Sequence, residues 1–269
     1  MTRRHTILKE LRQTNPLVHC ITNIVVANFQ ANGLLALGAS PIMADSLEEA
    51  ADIAALSSCT LLNIGTLDPT TVDAMIAAGK SASANGHPLI LDPVGAGATA
   101  FRKQTVDHLL DLLDFTLIRG NAGEIAAIAG VAWKAKGVDA GSGDADITDA
   151  AKQVARQNSC LVAVTGETDS VTDGERVIQI SGGHELMSLI TGSGCLLSAV
   201  AGAFLATSSG DALETVAECL AFYKKSGQIA AEQSFGPGDF SMNFINTLHS
   251  IEAQDVTDDQ FQYEQEVHP

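Results

Sequence analysis

The segment TGSGC, residues 191–195, combines residue types that suit the binding of an anion. Gly192 and Gly194 lack a Cβ atom, so the backbone there can adopt positive φ and approach a ligand closely. The apolar residues 186–190 predict a strand before this turn, and a helix rich in small residues is predicted to begin near Leu196. A strand-to-helix turn leaves backbone N–H groups unpaired, and such groups bind phosphate well. The segment therefore predicts an oxyanion cradle.

Cys195 lies in the first turn of that predicted helix, where the helix dipole favours a thiolate. The cradle and the thiol together offer phosphoryl transfer with Cys195 as an acid–base group, or acyl transfer with Cys195 as the nucleophile of a hydrolase. The second chemistry needs a base, for which His19 and His184 are the candidates. The same segment also fits a glycine-rich turn with a buried, unreactive cysteine. All three interpretations are open on these residues alone.

Side chains that suit a nucleotide and its metal follow two further predicted strands. Asp92 belongs to the end of the strand predicted over 88–94, and ligands of parallel sheets gather at this edge. A later strand ends in RGNAGE, where Arg119 can pair with phosphate oxygens. Asn121 and Glu124 lie three residues apart at a helix start and can share a hydrated Mg²⁺. For Glu124, a favourable interaction with the helix dipole is the alternative explanation.

Three residues at other strand ends are candidates for ligand contacts. Thr165 ends a strand predicted over 160–166, where it can meet a nucleotide phosphate. Asn23 follows an apolar strand and places an amide in apolar surroundings, which fits either capping and packing or ligand binding. Met43 lies near the end of a short strand predicted over 41–44, and its thioether fits either the core or an apolar heterocycle.

These candidates lie on a regular alternation of strands and helices, which predicts an α/β fold with a parallel sheet. The segment ETDSVTDGERVIQISGG predicts an antiparallel hairpin at the edge of that sheet. Residues 137–146 are small, polar and acidic, and they predict a mobile surface loop. We interpret residues 1–269 as one domain without a linker, whose acidic tail, 252–269, is frayed.

The composition argues against several classes of partner. Hydrophobic residues make up 46% of the 269 residues and charged residues 17%, as expected for helices packed on a buried sheet. The formal net charge of −17 argues against binding nucleic acid or an anionic membrane, because both require a basic surface. No apolar run reaches the ~18 residues of a membrane span, and no signal-peptide core follows the basic N-terminus, so we expect a cytoplasmic protein.

The order of RGNAGE, a strand-end VTG and TGSGC resembles that of the ribokinase-like kinases. Segments 18–44, 91–99 and 236–248 are similar to the hydroxyethylthiazole kinase family of thiamine salvage, so the resemblance covers nearly the whole chain. It implies a mostly parallel central sheet flanked by helices on both faces, without a separate lid domain. It also implies ATP-dependent phosphorylation of the primary alcohol of 4-methyl-5-(2-hydroxyethyl)thiazole. A hydroxymethylpyrimidine kinase of the same fold and a pure nucleotide-binding module are the alternatives.

The resemblance assigns roles to residues at matching positions. Cys195 occupies the position where the wider superfamily has an aspartate base, which implies that Cys195 is a weak proton acceptor beside the alcohol. The resemblance also implies a homotrimer in which a neighbouring subunit completes each site. The remaining implied contacts are to the thiazole from Met43, Asn23 and Gly192, to ATP from Arg119, Thr165 and Gly194, and to Mg²⁺ from Asp92, Asn121 and Glu124.

Overall fold

The computed structural model describes residues 7–132 and 147–264, and the acidic segment 137–146 lies outside these residues. The described strands are β1 (Leu17–Ile21), β2 (Ser40–Ile42), β3 (Cys59–Asn63), β4 (Leu89–Asp92), β5 (Leu117–Asn121), β6 (Leu161–Thr165), β7 (Asp169–Thr172), β8 (Val177–Ile180) and β9 (Phe261–Tyr263). They form one sheet in the order β2-β1-β3-β4-β5-β6-β7-β8-β9. The pairings from β2 to β6 are parallel, and those from β6 to β9 are antiparallel.

Helices cover both faces of the sheet, which confirms the predicted α/β class. In the described residues the helices are α1 (Ile7–Thr14), α2 (Ala27–Leu37), α3 (Ala50–Leu56), α4 (Pro69–Ala84), α5 (Ala100–Leu112), α6 (Ala122–Ala129), α7 (Ile147–Asn158), α8 (Ser193–Thr207), α9 (Ala212–Glu232) and α10 (Pro237–Ser250). One core contains α1, α2, α8, α9 and α10, and the other contains α3 to α7. Each core therefore covers one face.

The parallel strands β3 and β4 are mainly apolar because both of their faces are buried. On β3, Leu61 belongs to the core with α8, whereas its neighbour Leu62 belongs to the core with α4. On β4, Ile90 belongs to the core with α8 and Leu91 to the core with α4. Each fully buried side chain of this kind stabilises the fold by roughly 1.5–3 kcal/mol. Continuous apolar runs, and not alternating ones, are thus the expected sequence of these strands.

Local sequence signals set several helix ends. Helix α4 begins at Pro69 with Asp68 as its N-cap, whose carboxylate accepts a hydrogen bond from the N–H of Thr71 at 3.0 Å. Helix α2 ends at Leu37, and Gly38 follows in the left-handed region with φ +104°. The predicted hairpin is β7 and β8, which pair antiparallel.

Two predictions about local structure are wrong. Residues 186–190 do not form a strand, because Glu185–Leu189 is a 3₁₀ helix, and α8 begins at Ser193, earlier than predicted. The tail is not frayed throughout, because β9 pairs with β8 and makes the edge of the sheet. Among the described residues, no helix has both the length and the apolar character needed to cross a bilayer.

Candidate active site

The carboxyl ends of the parallel strands bring the predicted site residues to one edge of the sheet. In spatial order, Met43 follows β2, Asn23 follows β1, Asp92 ends β4, Arg119 lies on β5 and Thr165 ends β6. Neighbouring strands are only ~4.8 Å apart, so side chains at adjacent strand ends lie close together. The sheet therefore collects into one row residues that are distant in sequence.

The N-terminus of α8 supplies unpaired backbone donors to this row. Gly192 is the N-cap and has φ +98°, a conformation that favours glycine. Within the described part of the chain, no group accepts a hydrogen bond from the N–H of Gly192, Ser193, Gly194 or Cys195. Since a helix N-terminus also carries partial positive charge, these donors can hold an anion.

The guanidinium group of Arg119 lies against this helix N-terminus. A Cβ atom on Gly194 would come within 2.8 Å of Nη1 of Arg119, so a residue without a side chain is required for this approach. Arg119 also donates from Nη2 to the hydroxyl of Thr165, and its Nε is buried without a partner in the described residues. The guanidinium and the α8 donors thus converge, and this combination suits phosphate oxygens.

Cys195 lies in the first turn of α8, in contact with amide side chains. Nδ2 of Asn23 donates to Sγ of Cys195 at 3.5 Å, and Nε2 of Gln30 donates to the Cys195 carbonyl oxygen at 2.7 Å. Burial, followed by the charge of Asp92, raises the pKa of the Cys195 thiol to about 11. Burial therefore outweighs the helix dipole, which by itself favours a thiolate at this position. The thiol is protonated at neutral pH.

The carboxylate of Asp92 is enclosed, with 1% of the residue exposed. Its Oδ2 accepts hydrogen bonds from Nδ2 of Asn63 at 2.7 Å and from the hydroxyl of Ser198 at 2.9 Å. Its Oδ1 is buried and has no partner in residues 7–132 and 147–264. Burial raises the pKa of Asp92, against the lowering effect of Arg119 and of the hydrogen bonds. One carboxylate oxygen is thus fixed and the other can meet a ligand.

Asn121 and Glu124 form a capping box at the start of α6. Oδ1 of Asn121 accepts from the N–H of Glu124 at 2.9 Å, and Oε2 of Glu124 accepts from the N–H of Asn121 at 2.8 Å. Oε1 of Glu124 accepts from the N–H of Gly95 at 2.9 Å. Burial, followed by the charge of Asp92, raises the pKa of Glu124. Asn121 is therefore used to orient Glu124, whose carboxylate lies within electrostatic reach of Asp92.

This pair of carboxylates fits a hydrated divalent cation. Among the described residues, no group donates a hydrogen bond to Oδ1 of Asp92. A cation between the carboxylates would also relieve the repulsion between the negative charges of Asp92 and Glu124. The described residues contain no group of three or more His, Cys, Asp or Glu side chains that could hold a metal. Mg²⁺ suits such a site, because it keeps several waters and binds through one or two carboxylates together with substrate phosphates.

The remaining candidates lie away from Cys195 or are engaged elsewhere. Met43 is half-buried and packs against the core that contains α8. His19 is buried, donates from Nε2 to the Ala44 carbonyl oxygen at 2.7 Å, and has a pKa lowered by burial. Nδ1 of His184 accepts from the N–H of Leu186 at 3.2 Å. In the described residues neither histidine is bonded to Cys195, and its thiol is protonated, so nothing here favours a nucleophilic cysteine.

Sequence reasoning missed polar side chains that hold the site together. Oδ1 of Asn63 accepts from Nδ2 of Asn23 at 2.9 Å, so Asn63 joins Asn23 to Asp92. Its place at the end of the predicted strand β3 was the signal that could have found it. Three further residues lie within helices, where no such signal marks them: Gln30, Ser198 and Tyr223. The hydroxyl of Tyr223 donates to the Ser193 carbonyl oxygen at 2.6 Å.

The fold of this protein is the ribokinase-like fold. A ribokinase-like superfamily protein from Enterococcus faecalis superposes with a TM-score of 0.62, covering 91% of this chain and 95% of that one, at 12% identity. That likeness shows the fold, and the site at the carboxyl edge of the sheet is where this class of α/β proteins binds ligands.

The sequence gives a closer relationship. Residues 8–254 match the Hydroxyethylthiazole kinase family, and the chain belongs to that family. It is similar to a hydroxyethylthiazole kinase from an Exiguobacterium species, with 49% identity over 92% of this chain and 94% of the relative. It is also similar to the structure of a hydroxyethylthiazole kinase protein from Pyrococcus horikoshii, with 34% identity, a TM-score of 0.87, and coverage of 98% of this chain and 100% of that one.

Proposed function

We propose that this protein uses ATP to phosphorylate the primary alcohol of 4-methyl-5-(2-hydroxyethyl)thiazole in thiamine salvage. The observation that carries the proposal is the convergence of Arg119 and the unpaired N–H groups of α8 beside the buried carboxylate of Asp92. A phosphoryl group in transfer carries its charge on the outer oxygens, and fixed donors that surround it stabilise that charge. Membership of the Hydroxyethylthiazole kinase family supports the same reaction.

The order of the strands supports the assignment of ligands to the two sides of the site. The nucleotide lies towards β5 and β6, with its phosphates held by the guanidinium, the hydroxyl and the backbone donors of that side. The thiazole lies towards β1 and β2, beyond the N-cap of α8. The residues on the nucleotide side are Arg119, Thr165 and Gly194, and those on the thiazole side are Asn23, Met43 and Gly192.

Cys195 lies between these two sides and orients the alcohol. Its thiol, with a pKa of about 11, is too weak an acid to supply much thiolate at neutral pH. A loose transition state develops little charge on the attacking oxygen until late, so a strong base is not needed. Cys195 therefore acts as a hydrogen-bond partner of the alcohol, and the catalytic advantage comes from position and from the fixed donors of α8.

Asp92 and Glu124 would hold Mg²⁺, with Asn121 orienting Glu124. When bound there, the cation would neutralise part of the phosphate charge. Oδ1 of Asp92 supports this assignment. It is buried and accepts no hydrogen bond from the described residues, so a cation could bind there. Asn63 and Ser198 fix Oδ2, so the carboxylate keeps Oδ1 directed away from them.

A homotrimer with sites at its subunit interfaces is part of the proposal. Large apolar side chains are exposed just before α2, on the 3₁₀ helix Glu185–Leu189, and on or just before α10, and α10 contacts the other two elements. Two of these side chains follow Asn23 in sequence and one lies two residues before Thr191, so a second subunit placed there would border the site. The exposed side chains are Ile24, Val25, Leu189, Phe235 and Met242. Light scattering on the purified protein tests the subunit number, and fractionation of cells tests the cytoplasmic location that we also propose.

The reaction itself is tested by incubating the purified protein with ATP and the thiazole alcohol, with and without Mg²⁺. Mass spectrometry is expected to show one added phosphate only when ATP and Mg²⁺ are present. A parallel reaction with hydroxymethylpyrimidine separates the two alcohol kinases of this fold. Faster turnover of the pyrimidine, or turnover of neither alcohol, would contradict the proposal.

A further inference from the structure

A buried lysine on α9 holds two loops beside the proposed nucleotide side of the site. Lys224 is 5% exposed, and its Nζ donates to the carbonyl oxygens of Gly166 at 3.0 Å and Glu167 at 2.9 Å. The same Nζ lies 3.3 Å from the carbonyl oxygen of Gly182. Gly166 and Glu167 belong to the loop between β6 and β7, whereas Gly182 follows β8. One ammonium group therefore joins two loops.

Asp169 completes this arrangement from the first residue of β7. Its Oδ1 lies 3.2 Å from Nζ of Lys224 and accepts a hydrogen bond from the N–H of Gly166 at 2.9 Å. Asp169 is 3% exposed, so both charges of the pair are buried. Buried ion pairs are often no more stabilising than apolar residues of similar volume. We therefore attribute to this pair a role other than stabilisation, which is to hold the backbone of an exposed loop in place.

The fixed loop leads directly to the proposed phosphate site. Gly166 is bonded in sequence to Thr165, and Thr165 accepts a hydrogen bond from Arg119, which lies against Gly194. Gly166 and its neighbour Glu167 are solvent-exposed, so Lys224 and Asp169 hold this loop from its buried side. A shift of about 1 Å in such a loop can move a bound ligand out of the geometry that the reaction requires.

We propose that Lys224 is a positioning residue of the nucleotide site, which sets the place of Thr165 and Arg119 without contacting ATP. This inference rests on the proposed function for the identity of the nucleotide. Lys224 acts through Gly166 and through the loop that contains Gly182. Its removal is therefore expected to weaken nucleotide binding and to leave the thiazole side, on β1 and β2, unaffected.

The test uses the full chain and two binding measurements. The double variant Lys224→Met/Asp169→Asn removes both charges together, so that neither is left buried and unpaired. Calorimetry with Mg²⁺ and the non-hydrolysable analogue AMP-PNP is expected to give a Kd raised by about tenfold, or ~1.4 kcal/mol. The Kd of the thiazole alcohol, measured alone, is expected to stay within about twofold. Ser226→Ala is the matched control, since Ser226 is buried on α9 and, among the described residues, its hydroxyl donates within the helix, to the Phe222 carbonyl oxygen.

An unchanged AMP-PNP affinity in the folded double variant overturns the proposal. Equal weakening of both ligands also overturns it, because that pattern indicates general loosening. If the double variant does not fold, Lys224→Arg decides the question. The planar guanidinium keeps the charge but cannot meet the same carbonyl oxygens, so about threefold weaker AMP-PNP binding is expected, and unchanged binding overturns the proposal. Wild-type protein that binds AMP-PNP but phosphorylates no thiazole refutes the proposed function and leaves the Lys224 comparison valid.

Discussion

Replacing Cys195 with alanine separates two roles for the thiol, a general base and a hydrogen-bond partner. A pKa of about 11 leaves roughly one thiol in ten thousand ionised at pH 7. General bases contribute about 10²–10⁴-fold only when their pKa lies near the working pH. The hydrogen bonds of a neutral thiol are worth at most about 0.5–1.5 kcal/mol each. We therefore expect Cys195→Ala to lower kcat by about tenfold, which corresponds to ~1.4 kcal/mol.

The assay is the initial rate of thiazole phosphorylation at saturating ATP and Mg²⁺, measured from pH 6 to pH 9. If the Cys195 thiolate were the base, kcat of the wild type would rise about tenfold per pH unit over this range, since the pKa lies above it. We expect no such rise, and we expect parallel pH profiles for wild type and variant. Cys160→Ala is the control, because burial likewise raises the pKa of the Cys160 thiol, to about 12, but Cys160 lies outside the site.

Two results would refute this reasoning. One is a loss of more than about a thousandfold in a Cys195→Ala protein that binds AMP-PNP normally and unfolds cooperatively. The other is a rise of kcat with pH in the wild type that the variant lacks. Either result would mean that the thiolate removes the proton from the alcohol, despite the burial of Cys195.

Asp92→Asn is expected to raise the melting temperature at pH 7 while lowering kcat by more than about 10²-fold, since burial raises the pKa of Asp92 and its ionised form costs stability. Thermal unfolding should show this gain shrinking as the pH falls through that raised pKa. Gly194→Ala would place a Cβ within 2.8 Å of Arg119, so the KM for ATP should rise about tenfold, whereas Gly238→Ala, with nothing within 4 Å, should not change it. Burial lowers the pKa of His19 in the folded protein. As the pH falls below ~6.5, the imidazole is therefore protonated in the unfolded state first, and the free energy of unfolding decreases. Denaturant titrations should find a smaller loss between pH 7 and pH 5 in His19→Gln.

The alternation of strands and helices is predictable because each parallel strand is a short apolar run between polar or glycine-containing segments. Strands β3 and β4 show this clearly, since CTLLN and LILD are buried at every position. Residues at their carboxyl ends could be named from sequence for the same reason: once the strands are parallel, their ends must share one edge. Asp92, Arg119 and Thr165 were found in this way.

The misses have equally physical causes. A five-residue apolar run such as 186–190 fits a strand or one helical turn equally well, and periodicity cannot separate them. Strand β9 has no strong local signal, and it exists because β8 offers an open edge far away in sequence. The pKa of Cys195 depends on what surrounds the thiol, and sequence reveals its helix position but not its burial. Lys224 was missed because a lysine within a long helix is normally exposed.

The order of the strands explains why these scattered residues can divide the work. The chain places β1 between β2 and β3, so that Met43 and Asn23 lie at one end of the row and Arg119 and Thr165 lie at the other. Asp92, on β4, occupies the middle, and Cys195 is joined to this middle through Asn23 and the charge of Asp92. In the proposed site, two ligands that bind at the two ends of this row would meet at the N-terminus of α8. In the proposed site, the fixed N–H groups of α8 and the guanidinium of Arg119 would supply positive charge at this point, which would allow a chain with a net charge of −17 to hold an anionic nucleotide.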